Sequence, residues 1–174
     1  MHGLIKSILS AKTKKKHEKL SSLLCYIFVK VCKIDQRKYY ILGSYALRKN
    51  RNINDLDINL DADEFMKLEE ATKKGWGRIE FYNGQIRWFF DLTKQYNKLN
   101  SSRESDFSIE AFMKDPAIGF PTNDFSLVKL TNAGGLEKDE KGHQFLGLQV
   151  LLKWKKAMKR EKDKSDIELI SSLL

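Results

Sequence analysis

The sequence predicts an α+β fold, a mixed α/β arrangement in which a mixed sheet of about five strands carries helices mainly on one side. Apolar residues recur at helical spacing in the first and last thirds of the chain, whereas the middle alternates with the period of two that strands require. Asn83 and Gly84 lie between two β-type runs and predict a hairpin, because a two-residue type I′ turn needs positive φ at both positions. Helices therefore flank a sheet with mixed connections.

Length and composition favour one folded, basic domain. The chain has 174 residues, of which 41% are hydrophobic, and this is enough to bury a core of its own. Aromatic residues are spread among the charges and only 2 prolines occur, which excludes disordered, collagen-like and coiled-coil classes. The 32 lysines and arginines outnumber the 23 aspartates and glutamates, and the resulting charge of +9 favours an anionic partner such as a nucleotide or a nucleic acid.

Neither a membrane span nor a signal peptide is expected. The longest uninterrupted apolar stretch, residues 23–29, is far shorter than the ~20 residues that a helix needs to cross a bilayer. Residues 1–10 are only mildly apolar and lead into the basic stretch 12–19 without a small-residue cleavage site. These patterns predict a cytoplasmic protein with no membrane contact.

The N-terminal region, residues 1–38, is predicted to be helical. The apolar residues that share one face of this helix are Leu20, Leu23, Leu24, Ile27, Phe28 and Val31. Several lysines lie off that face, as expected of a helix with one side in the core.

The first two strands are predicted on either side of a Gly-Ser pair. Residues 39–42 form a short β-type run that stops at Gly43 and Ser44. Residues 57–60 form a second run, and apolar and polar positions alternate from Asp55 to Leu60. The alternation predicts a strand with one buried face and one acidic face.

A helix, a hairpin and one more strand are predicted to follow. The apolar stripe of the helix consists of Phe65, Leu68 and Ala71. Gly75 ends this helix, and the hairpin then joins residues 78–82 to residues 85–92. Residues 107–112 are predicted to form the last strand.

The C-terminal region is predicted to return to helices. A short helix is expected at residues 125–130, a long one from His143 to Lys159, and a terminal one at residues 166–173 with Ser165 as its cap. No internal repeat or long linker divides the chain, so residues 1–174 are predicted to form one domain. It comprises the helical region 1–38, a sheet core that carries the site at 39–115, and C-terminal helices at 116–174. The sequence carries no signal for an oligomeric state.

The most informative pattern is the acidic pair Asp55 and Asp57 on the second strand. Both side chains project from the same face, because strand side chains alternate with period two. Adjacent carboxylates raise each other's pKa unless a cation lies between them. Mg²⁺ is typically held by one or two carboxylates together with substrate phosphates. The pair therefore predicts a magnesium site, with a solvated strand face as the alternative.

Gly43 and Ser44 stand upstream, where the first strand stops. Backbone N–H groups and a hydroxyl at such a stop can cradle phosphate oxygens, although a Gly-Ser pair also occurs in ordinary turns. Taken together, the Gly-Ser pair, ten intervening residues and the Asp-x-Asp strand resemble the signature of the DNA polymerase β-like nucleotidyltransferase superfamily.

This resemblance implies a fold, a cofactor and a reaction. Gly43 and Ser44 fall on the Gly-Ser turn of the signature, and the two aspartates, Asp55 and Asp57, fall on its metal-binding carboxylates. The implied fold is a nucleotidyltransferase-like mixed sheet with flanking helices. The implied reaction transfers a nucleoside monophosphate from an NTP such as ATP with the help of two Mg²⁺ ions, which Mn²⁺ can replace.

The superfamily usually supplies a third carboxylate from a later strand. Glu110 lies inside a predicted strand, as a ligand carried by the sheet should, whereas Asp91 lies at a strand end, where a loop carboxylate is also ordinary. Glu110 is favoured and Asp91 remains open, as does a site with two carboxylates only.

A second resemblance concerns the segment 160–167, which reads R-x-K-D-x-x-D-I after a lysine-bearing helix. It is similar to the C-terminal motif of stand-alone nucleotidyltransferases, including the AbiE-type abortive-infection toxin family. This similarity implies that Lys153 or Lys156 contacts the phosphates of the NTP. It also implies a nucleotide pocket formed in part by Lys162, Asp163 and Asp166. A solvated helix end explains the same charges without any ligand.

The expected function is thus transfer of a nucleoside monophosphate from an NTP to a hydroxyl group. RNA including tRNA, a protein or a small molecule can supply that hydroxyl, since one metal chemistry serves many acceptors on this fold. The alternative is a non-catalytic, basic nucleic-acid-binding protein with the same fold, whose acidic pair only stabilises a turn.

Overall fold

A seven-stranded mixed sheet forms the centre of the protein, as seen in a computed structural model that describes residues 16–50, 53, 55–82, 85–91, 108–113, 132 and 134–174. The strands are β1 (Tyr39–Ile41), β2 (Asp55–Leu60), β3 (Arg78–Tyr82), β4 (Gln85–Asp91), β5 (Ser108–Met113), β6 (Leu136–Lys138) and β7 (Gln144–Leu146). Their order across the sheet is β3-β4-β5-β2-β1-β7-β6. β2 runs parallel to β5 and β1 parallel to β7, and the other neighbours are antiparallel. The predicted α+β class with a mixed sheet is confirmed, with seven strands in place of about five.

Helical segments precede, interrupt and follow the strands. They are α1 (Lys16–Leu24), a π-helix (Cys25–Val31), 3₁₀ helices (Gln36–Lys38, Gly43–Leu47 and Glu161–Asp163), α2 (Ala62–Phe65), α3 (Leu68–Lys73), α4 (Leu148–Met158) and α5 (Lys164–Leu173). Tyr82 pairs with Gln85, so two residues connect β3 to β4 and the predicted hairpin is confirmed, although Asn83 and Gly84 themselves lie outside the described residues. Residues 1–15 and the helix predicted at 125–130 also lie outside them.

Two strands were not predicted, and they change the start of the long helix. That helix was expected to begin at His143, but residues 144–146 form β7 and α4 begins only at Leu148. A three-residue strand that is buried at every position shows no alternation, so its sequence resembles the start of a buried helix. What makes it a strand is its parallel pairing with β1, where Phe145 lies opposite Ile41. The sheet therefore also takes strands from the region predicted to contain only helices.

The terminal helix also differs at its start. It begins at Lys164, one residue before the predicted cap Ser165, and Asp163 occupies the N-cap position. The Asp163 side chain makes no capping hydrogen bond there, because it pairs with cations from α4 and the following loop. Tertiary ion pairs have replaced the local capping interaction.

Two apolar cores lie on opposite faces of the sheet. The first is formed by β-strand residues such as Ile41, Ile58 and Ile109 together with α1, the π-helix, α2 and α3. The second covers the β1–β7 end of the other face, where Leu151 and Ile170 bring in α4 and α5. Helices α1 to α3 cover one face of the sheet, as expected of helices packed mainly on one side. Helices α4 and α5 form an additional layer on the opposite face. Among the described residues, none of the helices has the length and apolarity needed to cross a bilayer.

A buried polar network links α1 to the β6–β7 hairpin. Asp139 Oδ2 accepts hydrogen bonds from Ser21 Oγ at 2.8 Å and from the Tyr45 hydroxyl at 2.7 Å. His143 is fully buried; its Nδ1 faces the Tyr39 hydroxyl and its Nε2 lies 3.1 Å from the Ser21 carbonyl oxygen. A neutral ring protonated on Nε2 satisfies both contacts, since Nε2 then donates to the carbonyl and Nδ1 accepts from the hydroxyl.

We expect this histidine to make the fold sensitive to mild acid. Burial lowers the pKa of His143, so the folded protein keeps the ring neutral while the unfolded chain takes up a proton below about pH 6.5. The unfolded state then binds more protons, and stability falls as the pH falls, by up to ~1.4 kcal/mol per pH unit. Urea unfolding at pH 7.5 and 5.5 measures the loss. His143→Gln should show a smaller loss, and an equal loss in both proteins would contradict the prediction.

Candidate active site

Three carboxylates lie on the sheet face opposite the first core. Leu56 and Ile58 of β2 point into that core, so Asp55 and Asp57 point to the other face. The parallel register of β2 and β5 places Asp57 directly opposite Glu110. Neighbouring strands lie about 4.8 Å apart, which makes these two side chains adjacent. We call Asp55, Asp57 and Glu110 the acidic patch.

The electrostatics of Asp57 show that the acidic patch and the C-terminal segment act on one another. The pKa of Asp57 is raised to about 6, chiefly by burial and in addition by the negative charges of Asp55 and Glu110. Lys162 and Arg160 act in the opposite direction. A cation between the carboxylates would relieve this repulsion. Lys162, one of the residues predicted to form the nucleotide pocket, is therefore close enough to the acidic patch to lower the pKa of Asp57.

Gly43 brings the backbone close to Asp57. Its φ is +63°, a left-handed conformation that favours glycine, and a Cβ built on it would lie 3.1 Å from Asp57 Oδ2. The preceding amide, that of Leu42, donates a 2.7 Å hydrogen bond to the Asp57 carbonyl oxygen. The residue therefore turns the chain out of β1 and leaves room for the carboxylate, as the predicted stop at the end of that strand requires.

Ser44 is engaged with the C-terminal helices. Its hydroxyl donates a 2.8 Å hydrogen bond to Asp166 Oδ2, and Lys155 Nζ lies 2.9 Å from the same oxygen. Lys155 also donates to Asp163 Oδ1 at 2.8 Å, and Arg160 Nε lies 2.6 Å from Asp163 Oδ2. This chain of contacts fastens the Gly43–Leu47 turn to α4 and α5. Ser44 was expected to grip phosphate; in this structure its proton is directed to a carboxylate.

The ion pairs of this network are almost completely buried. The side chains of Lys155, Asp163 and Asp166 are 3%, 3% and 5% exposed. Burial raises the pKa of Asp163, but hydrogen bonds from Arg160 and Lys155 outweigh it and hold this pKa below its usual value. Asp163 and Asp166 are thus partners of a buried lysine, a structural task that the predicted nucleotide pocket did not include.

The lysines of α4 differ from one another in burial. Lys153 and Lys156, the two candidates for phosphate contacts, are exposed, and the described contacts do not bring either of them to the acidic patch. The lysine that is buried near the Gly-Ser turn is Lys155, which sequence reasoning missed. A signal for it existed: Lys155 lies four residues after Leu151, on the buried face of the helix.

The register also bears on the choice between Glu110 and Asp91. Asp91 ends β4 and lies opposite Ser108, which in turn lies opposite Asp55. One complete strand therefore separates Asp91 from β2, whereas Glu110 lies on the strand directly beside it. The geometry favours Glu110 as the third carboxylate of the acidic patch.

Sequence reasoning also missed Arg87, which lies beside Glu110. Its Nη1 is 2.7 Å from Glu110 Oε2, and the same guanidinium contacts Glu80 of β3. The residue lies between Ile86 and Trp88 and so points away from the first core. A charged residue in the middle of a largely apolar strand was the signal that could have identified it.

The acidic patch suits a hard divalent cation by its chemistry. Carboxylate oxygens are the ligands that Mg²⁺ prefers, and the glycine at position 43 leaves space beside Asp57 that a Cβ would fill. Within the described part of the chain, no three His, Cys, Asp or Glu side chains converge closely enough to form a ready-made metal centre. Asp57 and Glu110 fit a metal by donor type and strand register, and a bound ion would draw the side chains together.

The site can thus bind a cation through its carboxylates and an anionic group through nearby basic residues. Lys162 is exposed, and Arg160 is partly exposed, so both can meet a phosphate at the rim of the acidic patch. In comparisons with known proteins, no family model, no curated protein and no solved structure matches this chain.

Proposed function

We propose that this protein is a magnesium-dependent nucleotidyltransferase that transfers a nucleoside monophosphate from an NTP to an acceptor hydroxyl. The observation that carries the proposal is the strand register that sets Asp57 beside Glu110, on the face that also bears Asp55 and next to the Gly43 turn. Asp55, Asp57 and Glu110 would hold two Mg²⁺ or Mn²⁺ ions, which would supply the positive charge that stabilises the transition state in which the acceptor oxygen bonds to the α-phosphorus and pyrophosphate leaves.

The protein's own residues then have distinct tasks. Asp55 and Asp57 present oxygen ligands from β2, and Glu110 presents them from β5 on the acceptor side of the site. The Gly43 turn lets the triphosphate approach the backbone, because there is no side chain at that position. Lys162 and Arg160 supply positive charge toward the phosphates, and they already lower the pKa of Asp57.

Ser44 has a positioning task in this scheme. Its hydrogen bond to Asp166 ties the turn to a buried lysine, so the turn's backbone is held in place for the substrate. A fixed turn orients phosphate oxygens without loss of conformational entropy on binding.

The acceptor class is RNA, including tRNA, a protein or a small molecule that carries a hydroxyl group. The positive charge on the exposed side chains between α4 and the start of α5 suits a polyanionic acceptor, and these basic residues are Lys153, Lys156, Lys159, Lys162 and Lys164. The exposed lysines would also suit a protein that binds nucleic acid without catalysing a reaction. Labelling of acceptors distinguishes these two functions.

The test is transfer of label from each α-³²P-labelled NTP, with Mg²⁺, to a mixture of RNA, protein and small-molecule acceptors. Wild type should label at least one acceptor, and Asp57→Asn should abolish the labelling. Asp63→Asn, an exposed carboxylate on α2, is the matched control and should retain activity. Equal labelling by Asp57→Asn and wild type would contradict the proposal. Wild-type protein that labels nothing but binds RNA independently of Asp57 would support the non-catalytic alternative.

A further inference from the structure

Arg87 is held between two carboxylates on the face that bears the acidic patch. Its guanidinium lies 2.7 Å from Glu110 Oε2 and also contacts Glu80, and its side chain is only 10% exposed. The same group lies 4.8 Å from the centre of the Phe89 ring, which restricts it further. A planar guanidinium with this many contacts is fixed in orientation, unlike a solvated surface arginine.

The position of Arg87 lets it pull the Glu110 carboxylate away from Asp57. The strand order β4-β5-β2 puts Glu110 between Arg87 on one side and Asp57 on the other. Arg87 lies opposite Phe112, so it reaches Glu110 diagonally across the antiparallel pair. Its attraction draws the Glu110 carboxylate toward β4, and repulsion from Asp57 acts in the same direction.

We propose that Arg87 is a positioning residue that holds Glu110 toward β4 and competes with a divalent cation for the Glu110 carboxylate. This inference rests on the proposed function, because it assigns a regulator to the same metal site. One Glu110 oxygen accepts a hydrogen bond from Arg87, so a metal that binds Glu110 must share or displace it. A positive charge near the site also opposes the entry of a cation. Arg87 therefore weakens the site for a metal that arrives without the negative charge of a triphosphate.

The experiment measures the Mn²⁺ affinity of the full chain, stripped with a chelator and titrated without nucleotide, by electron paramagnetic resonance. Arg87→Gln should bind Mn²⁺ about tenfold more tightly than wild type, because one opposing charge and one competing donor are gone. Arg78→Gln is the matched control: Arg78 pairs with Glu80 on the same hairpin and makes no described contact with Glu110, so its effect should stay within about twofold. If Arg87→Gln does not fold, Arg87→Lys should tighten binding about threefold, since lysine keeps the charge but loses the fork geometry.

A double-mutant cycle with Glu110→Gln separates positioning from a general effect of charge. In the Glu110→Gln background, Arg87→Gln should change Mn²⁺ affinity by at most about threefold, because the contact with Glu110 is already gone and only the loss of a nearby positive charge remains. A tenfold change in that background, or an equal change in Arg78→Gln, would overturn the inference. The inference would also be overturned if Arg87→Gln bound Mn²⁺ as tightly as wild type while Asp57→Asn lost Mn²⁺ binding. The proposed function would still stand after that result. Wild-type protein that binds no Mn²⁺ with or without an NTP would overturn both.

Discussion

Replacing Lys155 with methionine is expected to lower the free energy of unfolding by roughly 3–5 kcal/mol, since removing one partner of a buried ion pair leaves the opposite charges buried without it. Lys155 contacts both Asp163 and Asp166, and all three side chains are almost completely buried. Methionine fills a similar volume but provides no positive charge. Chemical denaturation measures the loss, which corresponds to a change in Tm on the order of 10 °C.

Two comparisons make this prediction specific. Lys153→Met, on an exposed side of the same helix, should change stability by no more than about 0.5 kcal/mol. Adding Asp163→Asn and Asp166→Asn to the Lys155→Met protein should recover part of the loss, because the buried negative charges that Lys155 compensated are then gone. If Lys155→Met is as stable as Lys153→Met, the buried ion pairs do not form in the protein.

The second large effect is expected at the third carboxylate. Glu110→Gln should reduce nucleotidyl transfer by at least about 100-fold, because it removes one charged ligand from the side of the site where the acceptor is activated. Asp91→Asn should leave the rate within about fivefold of wild type, since Asp91 lies one strand farther from β2. Initial rates of label transfer at saturating NTP and Mg²⁺ measure both effects.

The outcomes for these two variants distinguish the open assignments. A severe loss in Asp91→Asn with a near-normal Glu110→Gln would reverse the assignment and favour the strand-end carboxylate. Full activity in both would leave a site with two carboxylates, Asp55 and Asp57. Circular dichroism of each variant shows whether a lost rate reflects lost chemistry or lost structure.

The arrangement of charge explains how a basic protein carries an acidic site. Within the described residues, several cations near the acidic patch are paired with carboxylates: Arg87 with Glu110, and Lys155 and Arg160 with Asp163. Lys162 is exposed and acts on Asp57 through space. Among the described basic residues, Lys162 thus leaves positive charge near the patch, which would suit the anionic substrate of the proposed function.

The amino-acid sequence by itself determined the fold class, the hairpin and the faces of β2. These features depend on local periodicity: alternation at residues 55–60 sets Asp55 and Asp57 on the face opposite Leu56 and Ile58. The turn at Gly43 was also readable, because a glycine directly after a short strand predicts a change of direction. Such signals extend over a few residues and do not depend on contacts with distant parts of the chain.

The tertiary structure alone decided which distant residues meet. Glu110 lies beside Asp57 because β2 and β5 pair in one register, and β7 is a strand because it pairs with β1. Lys155 reaches Asp166, whereas the exposed Lys153 and Lys156 do not, because the rotation of α4 is set by its packing on the second core. Register and helix rotation arise from contacts between segments far apart in the chain; the spacing from Leu151 places Lys155 on the buried face of the helix but does not identify the residues that it meets.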